Sequence, residues 1–194
     1  MTRDNRAGSV PAPDLVQTVL DEITGVLARV SDGNVAEFAA TLADAQRVMV
    51  AGEGRSGLMA KAFAMRLMHL GLTVHAVGET TTPAVAAGDT LVAVSGSGTT
   101  AGTVRVAEQA KKVGATVQAV TSRDDSALAQ VAASTLVIPG ATKHRREGEA
   151  TTVQPLSSLF DQATHIVLDV VCLHVAQTLQ VDNSVARSAH SNTE

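Results

Sequence analysis

Two short apolar runs of the chain each end in a segment of glycine and hydroxyl residues. The first run, residues 47–51, leads into a loop made of Gly52, Glu53, Gly54, Arg55, Ser56 and Gly57. The second run, residues 90–94, leads into a loop made of Ser95, Gly96, Ser97, Gly98, Thr99 and Thr100. A helical pattern follows each loop. A strand, a glycine-rich turn and a helix in this order, occurring twice, favour a parallel sheet covered by helices.

The rest of the chain continues this alternation. Further strands are predicted at residues 73–77, 116–120 and 135–138, and helices at 56–70, 101–113, 128–133 and 155–179. Two helices precede the first strand, at 14–30 and around Val35, Phe38 and Leu42. We therefore predict an α/β fold, a three-layer sandwich with a five-stranded parallel sheet and two extra N-terminal helices. Residues 14–194 form a single domain, and residues 1–13 are read as a disordered tail.

Composition excludes several classes of protein. The 194 residues carry a net charge of −4 with three Phe, no Tyr and no Trp, so neither a basic field nor aromatic platforms are present for nucleic acid. No uninterrupted apolar run reaches the roughly 18 residues of a membrane span. The N-terminus lacks the apolar region of a signal peptide, so a cytoplasmic location is expected. The single cysteine, Cys172, lies in an apolar run and is read as a buried, inert thiol.

The two loops are the candidate binding site. We expect the flavodoxin-like strand order 2-1-3-4-5, in which strands 1 and 3 are neighbours and both loops flank the crevice at the switch point of the sheet. Glycine lets the backbone approach a ligand, and the N–H groups of a helix start favour an anion. We therefore predict phosphate binding by a set drawn from both loops: Gly54, Arg55, Ser56, Ser95, Gly96, Ser97, Gly98, Thr99 and Thr100. In the simpler alternative, the glycines only form tight turns.

A dinucleotide site is the second alternative. Gly52, Gly54 and Gly57 fit the G-x-G-x-x-G fingerprint between a strand and a helix. Glu79 would then be the acidic residue that contacts the ribose, but it lies beyond Gly78 and far from the motif. The Ser/Thr-rich loop after strand 3 has no role in that fingerprint.

Five longer segments of the chain resemble the sugar isomerase (SIS) domain family of phosphosugar-binding proteins, and within it the branch that isomerises hexulose phosphates. They are GRSGLMAKAFAMRLMHLG (54–71), VGETTTPA (77–84), SGSG (95–98), QPLSSLFDQ (154–162) and HSNTE (190–194). The resemblance covers most of the chain, from about residue 14 to the end. It implies a flavodoxin-like SIS fold, usually assembled as a homotetramer.

The resemblance implies a function as well. The reaction is the interconversion of D-arabino-hex-3-ulose 6-phosphate and D-fructose 6-phosphate, the second step of formaldehyde fixation in the ribulose monophosphate pathway. The implied partners are a small sugar phosphate and a hexulose-phosphate synthase. By position, the family's carboxylate base maps to Asp161 and its C-terminal histidine to His190. The chain departs from the family pattern near the candidate site. Asp161 and Thr99 each occupy a position where the family has Glu, and Glu53 occupies one where the family has a small residue.

Moving a carbonyl between adjacent carbons needs a general base and stabilisation of an enediol, but no cofactor or metal. Asp161 is the candidate base, although it could instead only favour the start of a helix. Glu149, in a charged loop at residues 142–154, is the reserve candidate, and this loop is either solvated or a lid whose cations meet the phosphate. His190 is either a solvated tail residue or part of an active site, in its own or a neighbouring subunit. Asp161, His165 and Asp169 share one helix face, which favours a polar seam over a metal site.

Three functions remain open from the sequence. The first is isomerisation of a hexulose 6-phosphate. The second is another SIS isomerase reaction, on a pentose or heptose phosphate. The third is a module that binds a phosphosugar without catalysis. The apolar stripe of the first helix, which includes Leu15, Val16 and Leu20, must be covered by the core or by another subunit, so a homo-oligomer is expected.

Overall fold

The computed structural model describes residues 12–192 of the chain. The predicted tail lies outside the described residues, except for Ala12 and Pro13 at the start of the first helix. The described part contains five strands: β1 Val48–Gly52, β2 Val74–Ala76, β3 Thr90–Val94, β4 Thr116–Thr121 and β5 Ser134–Val137. It also contains seven helices: α1 Ala12–Leu27, α2 Asp32–Ala43, α3 Gly54–His69, α4 Ala101–Lys112, α5 Ala127–Val131, α6 Ser158–Leu179 and α7 Asn183–Ser188.

All five strands are parallel, in the order β2-β1-β3-β4-β5. Val50 of β1 pairs with Ala76 of β2 on one side and with Val92 of β3 on the other. The predicted strand order is therefore confirmed. Since β1 and β3 are neighbours with connections that leave in opposite directions, the sheet has its switch point between them.

Side chains alternate across the sheet and separate two cores. Val48 and Val50 of β1 pack on the face covered by α2, α3 and α6, whereas Met49 and Ala51 pack on the face covered by α4 and α5. Both faces are buried because every crossover of a parallel sheet places its connection on one face or the other. The three-layer sandwich is confirmed.

Helix α6 is the core helix of the first layer. By length and composition it is the one helix of the described residues that could cross a membrane, but Phe160, Leu168 and Val171 are buried against neighbouring elements. Cys172 is buried in the same layer, and burial raises the pKa of its thiol to about 12. The thiol is thus protonated at neutral pH, as its interpretation as an inert core residue requires.

The start of one helix and the presence of another differ from the prediction. Helix α6 begins at Ser158 rather than at residue 155, because Leu156 has a left-handed backbone with φ 54° that no helix accommodates. Helix α7 was not predicted. Its signal was Asp182, whose side chain accepts hydrogen bonds from the backbone N–H groups of Ser184 and Val185 and so caps the helix.

Candidate active site

A cleft of about 350 Å³ opens at the carboxyl ends of β1 and β3. The glycine-rich loops after these strands form one side of it, and the start of α6 with the segment before it forms the other. Its lining residues are Glu53, Gly54, Arg55, Ser56, Gly96, Ser97, Thr100, Lys143, Pro155, Leu156, Ser157, Ser158 and Asp161. The structure therefore brings both predicted loops and the candidate base together in one place.

The first loop is a tight turn from β1 into α3. A Cβ atom at Gly57 would lie 2.6 Å from the carbonyl oxygen of Gly52, so only glycine allows the helix to start this close to the strand. Gly54 has φ 58°, a conformation that glycine adopts without strain. The turn places Arg55 and Ser56 in the first turn of α3, with their side chains at the cleft.

The second loop is organised by its own hydroxyl groups. The hydroxyls of Ser95 and Thr100 lie 2.9 Å apart, and Ser97 Oγ accepts hydrogen bonds from the N–H and the hydroxyl of Thr99 at 3.3 and 3.1 Å. Gly98 has φ 61°, and a Cβ there would collide with Ser126. Gly96, Ser97 and Thr100 reach the cleft, whereas Ser95, Gly98 and Thr99 shape the loop and are not among the lining residues.

Asp161 lies in the first turn of α6 with a side chain that is almost entirely buried. Its Oδ1 accepts a hydrogen bond from Ser56 Oγ at 3.0 Å, and its Oδ2 lies 3.4 Å from Arg55 Nε. Arg55 also donates to Ser158 Oγ at 3.1 Å. Both recorded partners of the carboxylate belong to α3, so Asp161 does more than favour the start of its own helix.

Burial raises the pKa of Asp161, and the Ser56 hydrogen bond and the Arg55 charge counter this only in part. The pKa therefore lies above its ordinary value. A carboxylate of raised pKa that faces a cleft is a stronger general base than a solvated one. The local chemistry of Asp161 is suited to taking a proton from carbon.

The other two candidate catalytic residues, Glu149 and His190, do not line this cleft. Glu149 accepts hydrogen bonds from the N–H and the hydroxyl of Thr142 at 2.8 and 2.6 Å, and it faces a separate polar cleft. His190 follows α7 and stacks on His69, with ring centroids 5.2 Å apart. His69 ends α3 and Ser56 starts it, so about 20 Å of helix lies between them. Within one subunit, neither Glu149 nor His190 is positioned to meet a ligand beside Asp161.

Two alternative interpretations receive no support from the geometry. Glu79, the acid that a dinucleotide site would need, pairs with Lys61 at 3.2 Å on the surface and does not line the cleft. The second alternative is a metal site formed by Asp161, His165 and Asp169. His165 and Asp169 form a pair at 3.8 Å whose side chains are exposed, whereas Asp161 is buried. Between residues 12 and 192 no group of three or more His, Cys, Asp and Glu side chains is arranged to hold a metal ion.

Several cleft residues were missed from the sequence. Lys143 adds a second cation beside Arg55, and Leu156 and Ser157 form a wall. The charged loop was noted as a possible lid, but it carries four basic or potentially basic side chains in succession, residues 143–146. Which of them faces the cleft depends on the path of the loop, which no local pattern reveals.

Two named isomerases resemble this chain over most of its length. The 3-hexulose-6-phosphate isomerase of Mycobacterium gastri is 44% identical over 176 residues, which is 91% of this chain and 88% of the relative. The 3-hexulose-6-phosphate isomerase of Bacillus subtilis is 35% identical over 181 residues, covering 93% and 98% of the two chains.

A solved structure shows the same fold. It is a hypothetical protein from Methanococcus jannaschii, for which the molecular function of a 3-hexulose-6-phosphate isomerase was inferred from the crystal structure. It matches with a TM-score of 0.80 at 27% identity, covering 93% of this chain and 99% of that one. The SIS domain model matches residues 41–167, from the end of α2 to the middle of α6, and includes both loops and Asp161. On these matches and this fold, the chain belongs to the SIS domain family.

Proposed function

We propose that this protein is a 6-phospho-3-hexuloisomerase, which interconverts D-arabino-hex-3-ulose 6-phosphate and D-fructose 6-phosphate. The observation that carries the proposal is the buried Asp161 carboxylate, hydrogen-bonded to Ser56 in a cleft formed by two anion-binding loops. The two relatives named above, at 44% and 35% identity, carry the name of this activity.

The phosphate binds at the two loops. Ser56, Ser97 and Thr100 present hydroxyl groups at the cleft, and α3 and α4 begin there, so their first N–H groups favour an anion. Arg55 and Lys143 are the cations of the lining. Binding through backbone and hydroxyl groups explains how a chain of net charge −4 can hold a phosphate ester.

Asp161 is the general base in this proposal. It removes the proton from C2 of the 3-ketose, and the electron pair of the C2–H bond forms the C2–C3 double bond of an enediol. Return of a proton to C3 and transfer of the O2 proton to O3 complete the 2-ketose. C2 is oxidised and C3 is reduced, so no external oxidant or reductant takes part. Arg55, beside Asp161, lies where it can stabilise the negative charge that develops on oxygen.

The proposal also covers the other candidate residues and the assembly. His190 can contribute only from a neighbouring subunit, since its own α3 separates it from the cleft. Glu149 is not the base in this proposal, because it lines a separate cleft and its carboxylate is bound to Thr142. We also propose a cytoplasmic homotetramer that acts after a hexulose-phosphate synthase in the ribulose monophosphate pathway. The exposure of Leu15, Val16 and Leu20 on α1 supports self-association.

A coupled assay tests the function. The purified protein is incubated with a hexulose-phosphate synthase, formaldehyde and ribulose 5-phosphate, and fructose 6-phosphate is measured. We expect fructose 6-phosphate without added nucleotide, and with no metal beyond what the synthase needs. Absence of product, with an active synthase, would contradict the proposal. Turnover of a pentose or heptose phosphate alone would point to another SIS isomerase, and binding of fructose 6-phosphate without turnover to a binding module.

A further inference from the structure

The segment that joins β5 to α6 forms one wall of the cleft. We call residues 142–157 the strap. It contributes Lys143, Pro155, Leu156 and Ser157 to the lining. The strap contains no helix or strand, so its shape depends on contacts made by its side chains. Those contacts decide whether the wall of the cleft exists.

Arg145 ties the two ends of the strap together. Its Nη1 donates to the carbonyl oxygens of Thr142 and Leu156, each at 2.8 Å, and its Nη2 donates to the carbonyl oxygen of Gln154 at 2.5 Å. A guanidinium group presents several donors in a rigid fork, which suits one side chain to three carbonyls. Arg145 itself does not line the cleft. It binds the backbone of Leu156, which lines the cleft, and of Thr142 and Gln154, which adjoin lining residues.

Glu22 anchors the strap to helix α1. Its carboxylate accepts hydrogen bonds from Thr152 Oγ1 at 2.6 Å, from the Val153 N–H at 2.7 Å and from Gln154 Nε2 at 2.9 Å. Burial works to raise the pKa of Glu22, but these hydrogen bonds and the nearby charge of Arg145 outweigh it, so the pKa lies below its ordinary value. Glu22 is therefore ionised at neutral pH and makes charge-assisted hydrogen bonds.

Two residues of the strap have a strained backbone conformation. Arg145 has φ 47° and Leu156 has φ 54°, both in the left-handed region that residues with a Cβ atom disfavour. The Leu156 side chain is 70% exposed, so burial does not compensate for its strain. The carbonyl of Leu156 is one of the three held by Arg145. Strained residues beside a binding site persist where surrounding contacts over-determine them.

The cation of the strap depends on the same arrangement. The backbone N–H of Lys143 donates to Ser157 Oγ at 3.0 Å, which links the start of the strap to the residue before α6. Thr142, next to Lys143, is bound by Glu149 and by Arg145. The contacts that tie the ends of the strap are therefore also the contacts that surround Lys143.

We propose that Arg145 and Glu22 are positioning residues that hold the strap as the substrate-binding wall of the cleft, so that helix α1 sets the affinity for the sugar phosphate. This inference rests on the proposed function for the identity of the ligand, fructose 6-phosphate. Asp161, Ser56 and Arg55 sit on α3 and α6 and do not depend on the strap for their mutual contacts. Loss of Arg145 or Glu22 should therefore weaken binding far more than it slows the chemical step.

The test compares Glu22→Ala and Arg145→Met with two matched controls. Asp21→Ala removes a neighbouring acid of α1 that bonds only Gln17 in the contacts described, and Arg105→Met removes an exposed arginine of α4 that does not line the cleft. We expect both strap variants to raise the Kd for fructose 6-phosphate, by calorimetry, and the KM about 10-fold or more, with kcat within about three-fold. The controls should match the wild type. Glu22→Gln and Arg145→Lys, which keep part of the bonding, should show smaller effects.

Hydrogen exchange of the peptide that spans the strap gives a second readout. The N–H groups of Lys143 and Val153, bound to Ser157 and Glu22, should exchange at least about 10-fold faster in the strap variants. Folded variants with wild-type affinity, or with unchanged exchange in the strap, would overturn the inference. If Glu22→Ala does not fold, Glu22→Gln is measured in its place. Wild-type protein that binds fructose 6-phosphate without turnover would refute the proposed function alone; wild-type protein that does not bind it would refute both.

Discussion

Ser56 Oγ lies 3.0 Å from Asp161 Oδ1 and donates a hydrogen bond that joins the first turn of α3 to the first turn of α6. The two residues are 105 positions apart in the chain. This contact places a buried carboxylate beside the glycine-rich loop that follows β1. It joins the proposed general base to a residue of the loop that we propose binds the phosphate.

Asp161→Asn tests the base. We expect kcat to fall by about 10²–10⁴, the usual size of a general-base loss, with Kd for fructose 6-phosphate little changed. The folded protein should not lose stability at pH 7, because the raised pKa means that burial of the charge costs more than its contacts return. Asp169→Asn, on the exposed part of the same helix, is the matched control and should retain wild-type turnover. Equal turnover in Asp161→Asn would exclude Asp161 as the base.

The pH dependence of kcat/KM tests the same carboxyl group. The base acts when ionised, so activity should fall as pH decreases through its raised pKa. Ser56→Ala removes a hydrogen bond that favours the ionised form, so the pKa should rise further and the acid limb should move to higher pH. The residual activity of Asp161→Asn should lack this limb. If kcat/KM falls at the same pH in the wild type and in Ser56→Ala, a group other than Asp161 controls the decrease in activity at low pH.

Gly98→Ala tests the second loop. Gly98 has a left-handed φ of 61°, and an added Cβ would meet Ser126 and lie 2.8 Å from Thr121 Oγ1. We expect a loss of about 2–4 kcal/mol in the free energy of unfolding, from backbone strain and overpacking together. Urea unfolding measures it. Gly25→Ala is the control, since nothing lies within 4 Å of a Cβ there and the residue is helical, so a gain of about 0.5 kcal/mol is expected. Equal effects of the two changes would contradict the steric account.

The double change Val16→Glu and Leu20→Glu tests self-association. These side chains are 70% and 50% exposed on α1, in the apolar stripe that one subunit leaves uncovered. We expect the wild type to run as an oligomer by light scattering and the double variant to shift toward the monomer, because buried charges at an interface are costly. Val113→Glu, an exposed apolar residue near the end of α4, should leave the assembly unchanged. A monomeric wild type at micromolar concentration would refute the oligomer.

Local patterns along the chain determined the layers of the fold. Strands that alternate with helices favour a parallel sheet covered on both faces, and the glycine-rich segments after two of the strands marked the two loops. The order of the strands was expected from a flavodoxin-like arrangement, not from the alternation itself. The same patterns pointed to Gly54, Ser56, Ser97 and Thr100 at the cleft. They missed α7 because a short helix with no buried side chains carries little periodicity.

Only the tertiary structure decided which distant groups share the site. Asp161 meets Ser56 because α3 and α6 pack side by side, a relation between segments 105 positions apart that no periodicity encodes. The strap lies where it does because Arg145 and Glu22 bind it, and its path selects Lys143 from a run of basic residues. Glu149, the reserve candidate, and His190 were also drawn from the sequence, yet their contacts with Thr142 and His69 hold them elsewhere in the subunit. Spacing along a chain determines local conformation, whereas the energies that select contacts between distant segments arise only when the layers pack.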